Sequence, residues 1–277
     1  MADATENKRN GKGVVDKVAA ILMAFSFDDP ELDLREISRR VELNKSTTCR
    51  ILRKLMQYRF IEQDPATGLY RLGIRLFELG NLVADNLKLG EVARPYLEAL
   101  TERVGETSHF AILSGDRIVH LVRIESQQAI RVVPSRLGER YPFHCLSVGK
   151  AIVAFLSEEE REALLARAEF EKFTDRTITS RAAFEEELEE IRRCGYALDN
   201  EEFIEGIRCI GAPVRGYKGR VIGGISVAGP AMRLTSERIA ELIPFVVETA
   251  AEISRCFAKD QAEVPTGKIK EAVKAKR

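Results

Sequence analysis

Residues 34–60, LREISRRVELNKSTTCRILRKLMQYRF, combine two apolar helical stripes with a concentration of positive charge. Arg35, Arg39, Arg40, Lys45, Arg50, Arg53, Lys54 and Arg59 stand against only Glu36 and Glu42, in a chain whose 43 basic and 43 acidic residues cancel. The surplus is one of placement, the footprint of a face that meets nucleic acid. Leu34, Ile37 and Val41 recur at helical spacing, Leu43 enters a turn, and Thr48, Ile51, Leu52 and Leu55 recur at i, i+3, i+4, i+7. Asn44 is placed to cap the second helix, its side-chain oxygen accepting from a backbone N–H near Thr47. The inward stripe leaves Lys45, Ser46, Thr47, Cys49, Arg50, Arg53 and Lys54 facing out. The pattern predicts a helix-turn-helix whose second helix reads DNA. Glu42 stands where such turns commonly place a glycine, and a positive φ there costs a non-glycine residue about 1 kcal/mol.

The flanks complete a winged module. Phe60–Gln63 and Leu69–Leu72 read as two strands joined by the Asp64-Pro65-Ala66-Thr67-Gly68 turn, a wing directly after the reading helix. Upstream, Val14, Val15, Val18, Ile21, Leu22 and Phe25 predict an amphipathic first helix that closes a three-helix core. In this arrangement Arg50 meets a base edge or the adjacent phosphate, Arg53 and Lys54 meet phosphates, and Arg71 on the wing acts on the DNA backbone.

A chain of 277 residues is long enough for two domains of about 100–200 residues each. Residues 1–75 carry 14 basic against 11 acidic side chains and residues 76–277 carry 29 against 32, a basic head on a mildly acidic body. The opening MADATENKRNGKG is polar and makes no secretory signal peptide, and no stretch approaches the roughly 18 apolar residues that span a bilayer. Cys49, Cys145, Cys194, Cys209 and Cys256 are odd in number and lack CxxC pairing, which argues against a disulfide framework or a zinc knuckle. The expectation is a cytoplasmic protein with free thiols.

After the wing, Ile74, Leu76, Phe77, Leu79, Leu82 and Val83 place apolar side chains around more than one helical face, so this linker helix needs more than one neighbour and reads as a dimer contact. A second helix follows from about Glu91 to Val104, with Val92, Pro95, Tyr96 and Leu100 inward and the proline in the first turn. From Ser108 the period becomes 2. Phe110 and Ile112, then Ile118 to Ile124 including His120, then Ile130, Val132 and Val133 read as strands, the first two joined at Ser114-Gly115-Asp116. Helices return at Ser147–Leu156, Glu158–Ala166 and Ala182–Arg193, strands at Ile207–Val214 and Arg220–Ala228 with a turn at Tyr217-Lys218-Gly219, and a last helix at Ser236–Phe257. Grouped strands with helices at the flanks predict an α+β domain with an antiparallel sheet.

Asn44-Lys45-Ser46-Thr47 followed by Arg50-Ile51-Leu52 resembles the helix-turn-helix of the IclR family of bacterial transcriptional regulators. Gly138 to Ala151 resembles that family's loop-to-helix segment, Asp199 to Val214 its second signature, and Gly223 to Pro230 with Arg233-Leu234-Thr235 its third, so the likeness runs from about Val14 to Phe257. It implies a chain of α and α+β domains: a disordered tail (1–12), a winged helix-turn-helix (13–73), a linker helix (74–89), a GAF-like effector-binding domain (90–259) and a disordered basic tail (260–277). It also implies a dimer or dimer of dimers on a double-stranded DNA operator, switched by a small organic acid or aromatic, with no cofactor. Carried over residue by residue, the effector site takes Ser147 and Val148 at a helix start, Asp199 at a rim, and Cys209, Ser226 and Ala228 on neighbouring strands. A helix N-terminus suits a carboxylate. Ala228 replaces a hydroxyl of acid-sensing members and Val148 is apolar, which favours an effector larger and more apolar than a two- or three-carbon acid.

Three competing chemistries use the same residues. Ser147-Val148-Gly149-Lys150 has the S-x-x-K spacing of serine acyl enzymes, but the companion S-D-N and K-T-G motifs are absent. His144 and Cys145 are sequence neighbours, which point in different directions on a helix or strand, although His109 or His120 could reach Cys145 or Cys209. No His/Cys set has a metal-ligand spacing. A nonspecific nucleoid-binding protein is the remaining alternative. The expectation is a regulator with no catalytic residue and no metal.

Overall fold

The reading helix is set by its cap. Asn44 Oδ1 accepts the Thr47 N–H at 2.8 Å and starts the second helix of the head where the sequence places it. The computed structural model describes residues 13–129 and 136–259. The expected tails and the expected strand through Ile130, Val132 and Val133 lie outside the described residues.

The chain divides after Leu87 into two units. The first contains α1 (Val14–Met23), β1 (Glu31–Leu32), α2 (Leu34–Arg40), α3 (Lys45–Gln57), β2 (Ile61–Gln63), β3 (Tyr70–Leu72) and α4 (Ile74–Leu87). Ile21, Phe25, Ile37, Val41, Ile51, Leu52, Leu55 and Ile61 form its core. Val14 and Val15, expected inward, are 70% and 80% exposed, and the buried side of α1 begins further along, at Ile21. Glu42 does adopt a left-handed φ of 56° between α2 and α3. The wing turn is closed by Asp64 Oδ1, which accepts from the backbone N–H groups of Ala66 and Thr67, and by Gly68 at φ 74°. β1 adds an unexpected third strand, giving the order β1-β3-β2. Two residues are too short to show a period.

The second unit contains α5 (Leu89–Val104), β4 (Thr107–Ser114), β5 (Arg117–Ile124), β6 (Arg140–Pro142), α6 (Ser147–Ala154), α7 (Glu158–Leu165), α8 (Arg181–Cys194), β7 (Ala197–Asn200), β8 (Ile207–Arg215), β9 (Val221–Pro230) and α9 (Ser236–Lys259). Its six strands form an antiparallel sheet in the order β6-β5-β4-β9-β8-β7. Alternation sorts the strands. Phe110, Ile210, Ile225 and Val227 pack with α5 and α9, and Ala111, Ile118 and Ala197 with α6 and α8. The inward face of α5 is Ala93, Leu97, Leu100 and Val104. Leu100 is inward as expected and Val92 and Tyr96 are half-buried against the same core, whereas Pro95 is exposed. Pro95 also lies inside the helix and not in its first turn, because α5 starts at Leu89.

Two features hold α6 to the sheet. Gly211 lies directly beneath its first residue, where a Cβ would stand 2.5 Å from the Ser147 carbonyl carbon and 2.7 Å from the Val148 nitrogen. Lys150, 1% exposed, donates from Nζ to Glu202 Oε1 at 2.7 Å and to Glu187 Oε1 at 2.8 Å, joining α6 to α8 and to the segment between β7 and β8.

Lys150→Met removes the cation and leaves Glu202 buried without its partner, and should cost about 3–5 kcal/mol in denaturant unfolding. Gly211→Ala should cost about 1–3 kcal/mol by overpacking, read as a lowered unfolding midpoint; an unchanged midpoint would mean that α6 shifts freely.

Candidate DNA-reading face and effector cavity

On α3, Lys45, Ser46, Arg50, Arg53 and Lys54 are exposed, whereas Thr47 and Cys49, expected outward, are half-buried. Ser46 Oγ donates to the capping Asn44 Oδ1 at 2.8 Å. Lys54 Nζ donates to Gln57 Oε1 at 3.2 Å. The basic surplus is not all available for DNA: Arg40 donates to Glu36, to Asp29 and to the Ala24 carbonyl, and so ties α2 to the loop before it. Arg39 and Arg40 together hold the Glu36 carboxyl down at about 2. Arg71 lies on β3, paired with Glu62 at 3.3 Å and near Glu31 at 3.8 Å. Exposed pairs of this kind contribute about 0–1 kcal/mol and yield readily to a phosphate.

In the second unit the sheet register assembles a cavity. Asp199 stands opposite Cys209, Cys209 opposite Ala228, and Ser226 opposite both Gly211 and His109. Because side chains alternate, Asp199, Cys209, Ala228, Ser226 and His109 share one face of the sheet. The N-terminus of α6 rests on that face over Gly211, and Leu146 makes no side-chain cap, so the first-turn backbone N–H groups beside the cavity lack a side-chain partner. Ser147, Val148, Asp199, Cys209, Ser226 and Ala228 all line one cavity of about 50 Å³.

His109, His120, Tyr141, Leu146, Phe203, Ile204 and Ile207 complete the lining. The rings form a wall: His109 and His120 have centroids 4.8 Å apart, His120 and Tyr141 5.2 Å, Tyr141 and Phe203 5.9 Å. The two histidines sat in a period-2 apolar run, a signal of burial that does not say which partners surround them. Phe203 and Ile204 follow β7, a strand the sequence did not reveal. Asp199 is accordingly no rim residue. It is 3% exposed, because β7 pairs it into the sheet and the following segment closes beside it.

Burial sets the charge states. It lowers both imidazoles, His120 to about 4, with Arg123 adding to the effect and His120 also acting on His109, so both rings are neutral near pH 7. It raises the Cys209 thiol, and the Asp199 carboxylate raises it further. Asp199 itself is pushed up to about 7 by burial, against the Glu202 N–H that Oδ1 accepts at 2.8 Å. For Lys150, burial works against the charge, but Glu202 and Glu187 outweigh it and the ammonium is held protonated. The S-x-x-K spacing therefore supplies no free amine to serve Ser147 as a base. Among the described residues no group of three or more His, Cys, Asp or Glu side chains is arranged to hold a metal ion. The cavity combines hydroxyls, a thiol, a buried carboxyl and neutral imidazoles with the apolar side chains of Leu146, Val148, Phe203, Ile204, Ile207 and Ala228.

Among the described residues no helix is long and apolar enough to cross a membrane. Residues 14–65 match the IclR helix-turn-helix domain and residues 81–255 match the bacterial transcriptional regulator IclR C-terminal domain. The chain is 34% identical over 243 residues to the HTH-type transcriptional regulator XynR of Escherichia coli K12, covering 88% of this chain and 96% of XynR. The crystal structure of Thermotoga maritima IclR, 31% identical, superimposes with a TM-score of 0.69 over 88% of this chain and 98% of that one. An IclR homologue from Microbacterium hydrocarbonoxydans, crystallised with 4-hydroxybenzoate, is 27% identical with a TM-score of 0.74 over 86% of this chain and 96% of its own. With both of its domains matched in order, a winged reading head followed by a cavity-bearing α+β sensor, this chain belongs to the IclR family of bacterial transcriptional regulators.

Proposed function

We infer that this protein is a cytoplasmic, ligand-responsive regulator that binds a double-stranded DNA operator and is switched by a small organic acid. The observation that carries this reading is the convergence of Ser147, Val148, Asp199, Cys209, Ser226 and Ala228 on one cavity, in a unit separate from the DNA-reading head. Residues 13–73 are the head, 74–89 the linker and 90–259 the sensor. Lys45, Ser46, Thr47, Arg50, Arg53 and Lys54 read and grip DNA, with Cys49 at the edge of that face, and Arg71 holds the flanking phosphates. The protein works as a dimer or dimer of dimers. Supporting this, α4 exposes Phe77, Leu82 and Val83 by 59–65%, an apolar face that calls for a partner helix. Acyl transfer at Ser147 is not part of this reading, since Lys150, the amine of its S-x-x-K spacing, is committed to two carboxylates.

The 4-hydroxybenzoate held by the Microbacterium relative supports an acid effector here. The cavity is smaller than the expected larger, apolar effector requires. An aromatic ring occupies a cavity of about 150 Å³, so at about 50 Å³ such a ligand enters only if the lining gives way. A ligand drives the switch by binding one of two conformations more tightly.

Operators selected from random DNA provide the first test. Arg50→Ala should weaken binding to the selected sequence by about 1–3 kcal/mol and relax its sequence preference; unchanged affinity for selected and scrambled DNA would remove Arg50 from the base-reading role. The second test uses an acid found by screening for operator release. Cys209→Trp, which fills the cavity, and Ser226→Ala, which deletes a polar contact, should suppress the response while leaving ligand-free operator binding within about twofold. A wild-type response in both variants would place the effector elsewhere.

A further inference from the structure

The cavity contains a carboxylate of its own, and none of the described residues that line it is a cation that could meet a second one. Asp199 is buried in it, with Oδ1 occupied by the Glu202 N–H and Cys209 beside it on β8. Lys150, which acts on Asp199 from α6, is already answered by Glu187 and Glu202. An anion entering here meets helix-start N–H groups and hydroxyls, with Asp199 across the same small space. Resting on the reading of this cavity as an acid-effector site, we propose that the effector binds together with one proton, which Asp199 and the effector carboxylate share.

Two carboxylates in one water-poor cavity do not both stay ionised, since each strongly disfavours the charge of the other. Asp199 is the group poised to take the proton. Burial has already brought it to about 7. Its other neighbours do not compete. Cys209 from β8 and Cys145 ahead of α6 are thiols pushed upward. His109 from β4 and His120 from β5 are neutral under burial and the influence of Arg123. Tyr141 from β6 is raised by burial and by its hydrogen bond to Glu139. Glu202 is also raised by burial, but its Oε1 holds Lys150, as does Glu187 from α8. The sign follows: a bound acid raises Asp199 above its ligand-free value, so affinity is greatest below that value and falls as pH rises through it, by about tenfold per unit for one proton.

Isothermal titration calorimetry on the full chain with acetate, pyruvate, benzoate and 4-hydroxybenzoate tests this between pH 6 and 8.5, in paired buffers of different ionisation enthalpy. The acids that bind should take up close to one proton at pH 8 and lose about tenfold in affinity between pH 7.5 and 8.5. In Asp199→Asn both effects should vanish. Binding without proton uptake in the wild-type protein overturns the inference while leaving the acid-site reading intact, and this count needs no variant. Uptake that persists in Asp199→Asn transfers the proton to Glu202 or the histidines and also overturns it. Failure of all four acids to bind takes down the acid-site reading and the inference together.

Discussion

A buried ammonium answered by two carboxylates governs the sensor. Moving Lys150 out of water carries a desolvation cost of several kcal/mol, which is recovered only when Glu187 on α8 and Glu202 after β7 are both in place. Three elements distant in sequence are thereby required to meet at one point. The meeting sets α6 over Gly211, and that contact presents Ser147 and Val148 to the strands carrying Cys209 and Ser226. Ligand chemistry in this protein is downstream of that ion cluster.

The two units use charge in opposite ways. In the head, exposed guanidinium and ammonium groups remain solvated, weakly paired and open to exchange with phosphate oxygens, as Arg71 with Glu62 and Glu31 illustrates. In the sensor, burial suppresses charge: two histidines stay neutral, a thiol stays protonated, and a carboxyl is raised into the physiological range. The first arrangement suits binding to a polyanion. The second suits a small ligand whose arrival changes the proton balance of a closed site.

Misplaced expectations share a cause. Val14 and Val15 belong to an amphipathic pattern whose buried side begins only at Ile21. On α5, Ala93 and Leu97 are buried where Pro95 was expected, because a stripe read from a few apolar residues leaves its edges open, and the sheet, not the helix, selects the buried side. The family resemblance put Asp199 at a rim, and the four residues of β7 are too short for a period that would have shown it paired into the sheet. The winged head was legible to a finer level, down to the hydrogen bond between Asn44 and Thr47 and the strained Glu42. Caps and turns act within three or four residues, so their geometry is written locally.

By itself the sequence determined the order of the helices and of the longer strands, the helix-turn-helix with its cap and wing, and, through the resemblance of its three later segments, which residues to look for in the sensor. Periodicity and capping are short-range effects, and a family likeness carries identities from position to position. Only the tertiary structure decided that β4 lies beside β9, β9 beside β8 and β8 beside β7, which puts His109, Ser226, Cys209 and Asp199 on one face although 90 residues separate the first from the last. It also decided their protonation. Desolvation depends on what surrounds a group from every side, and no stretch of sequence states that Asp199 is enclosed while Lys150 is already spoken for by Glu187 and Glu202.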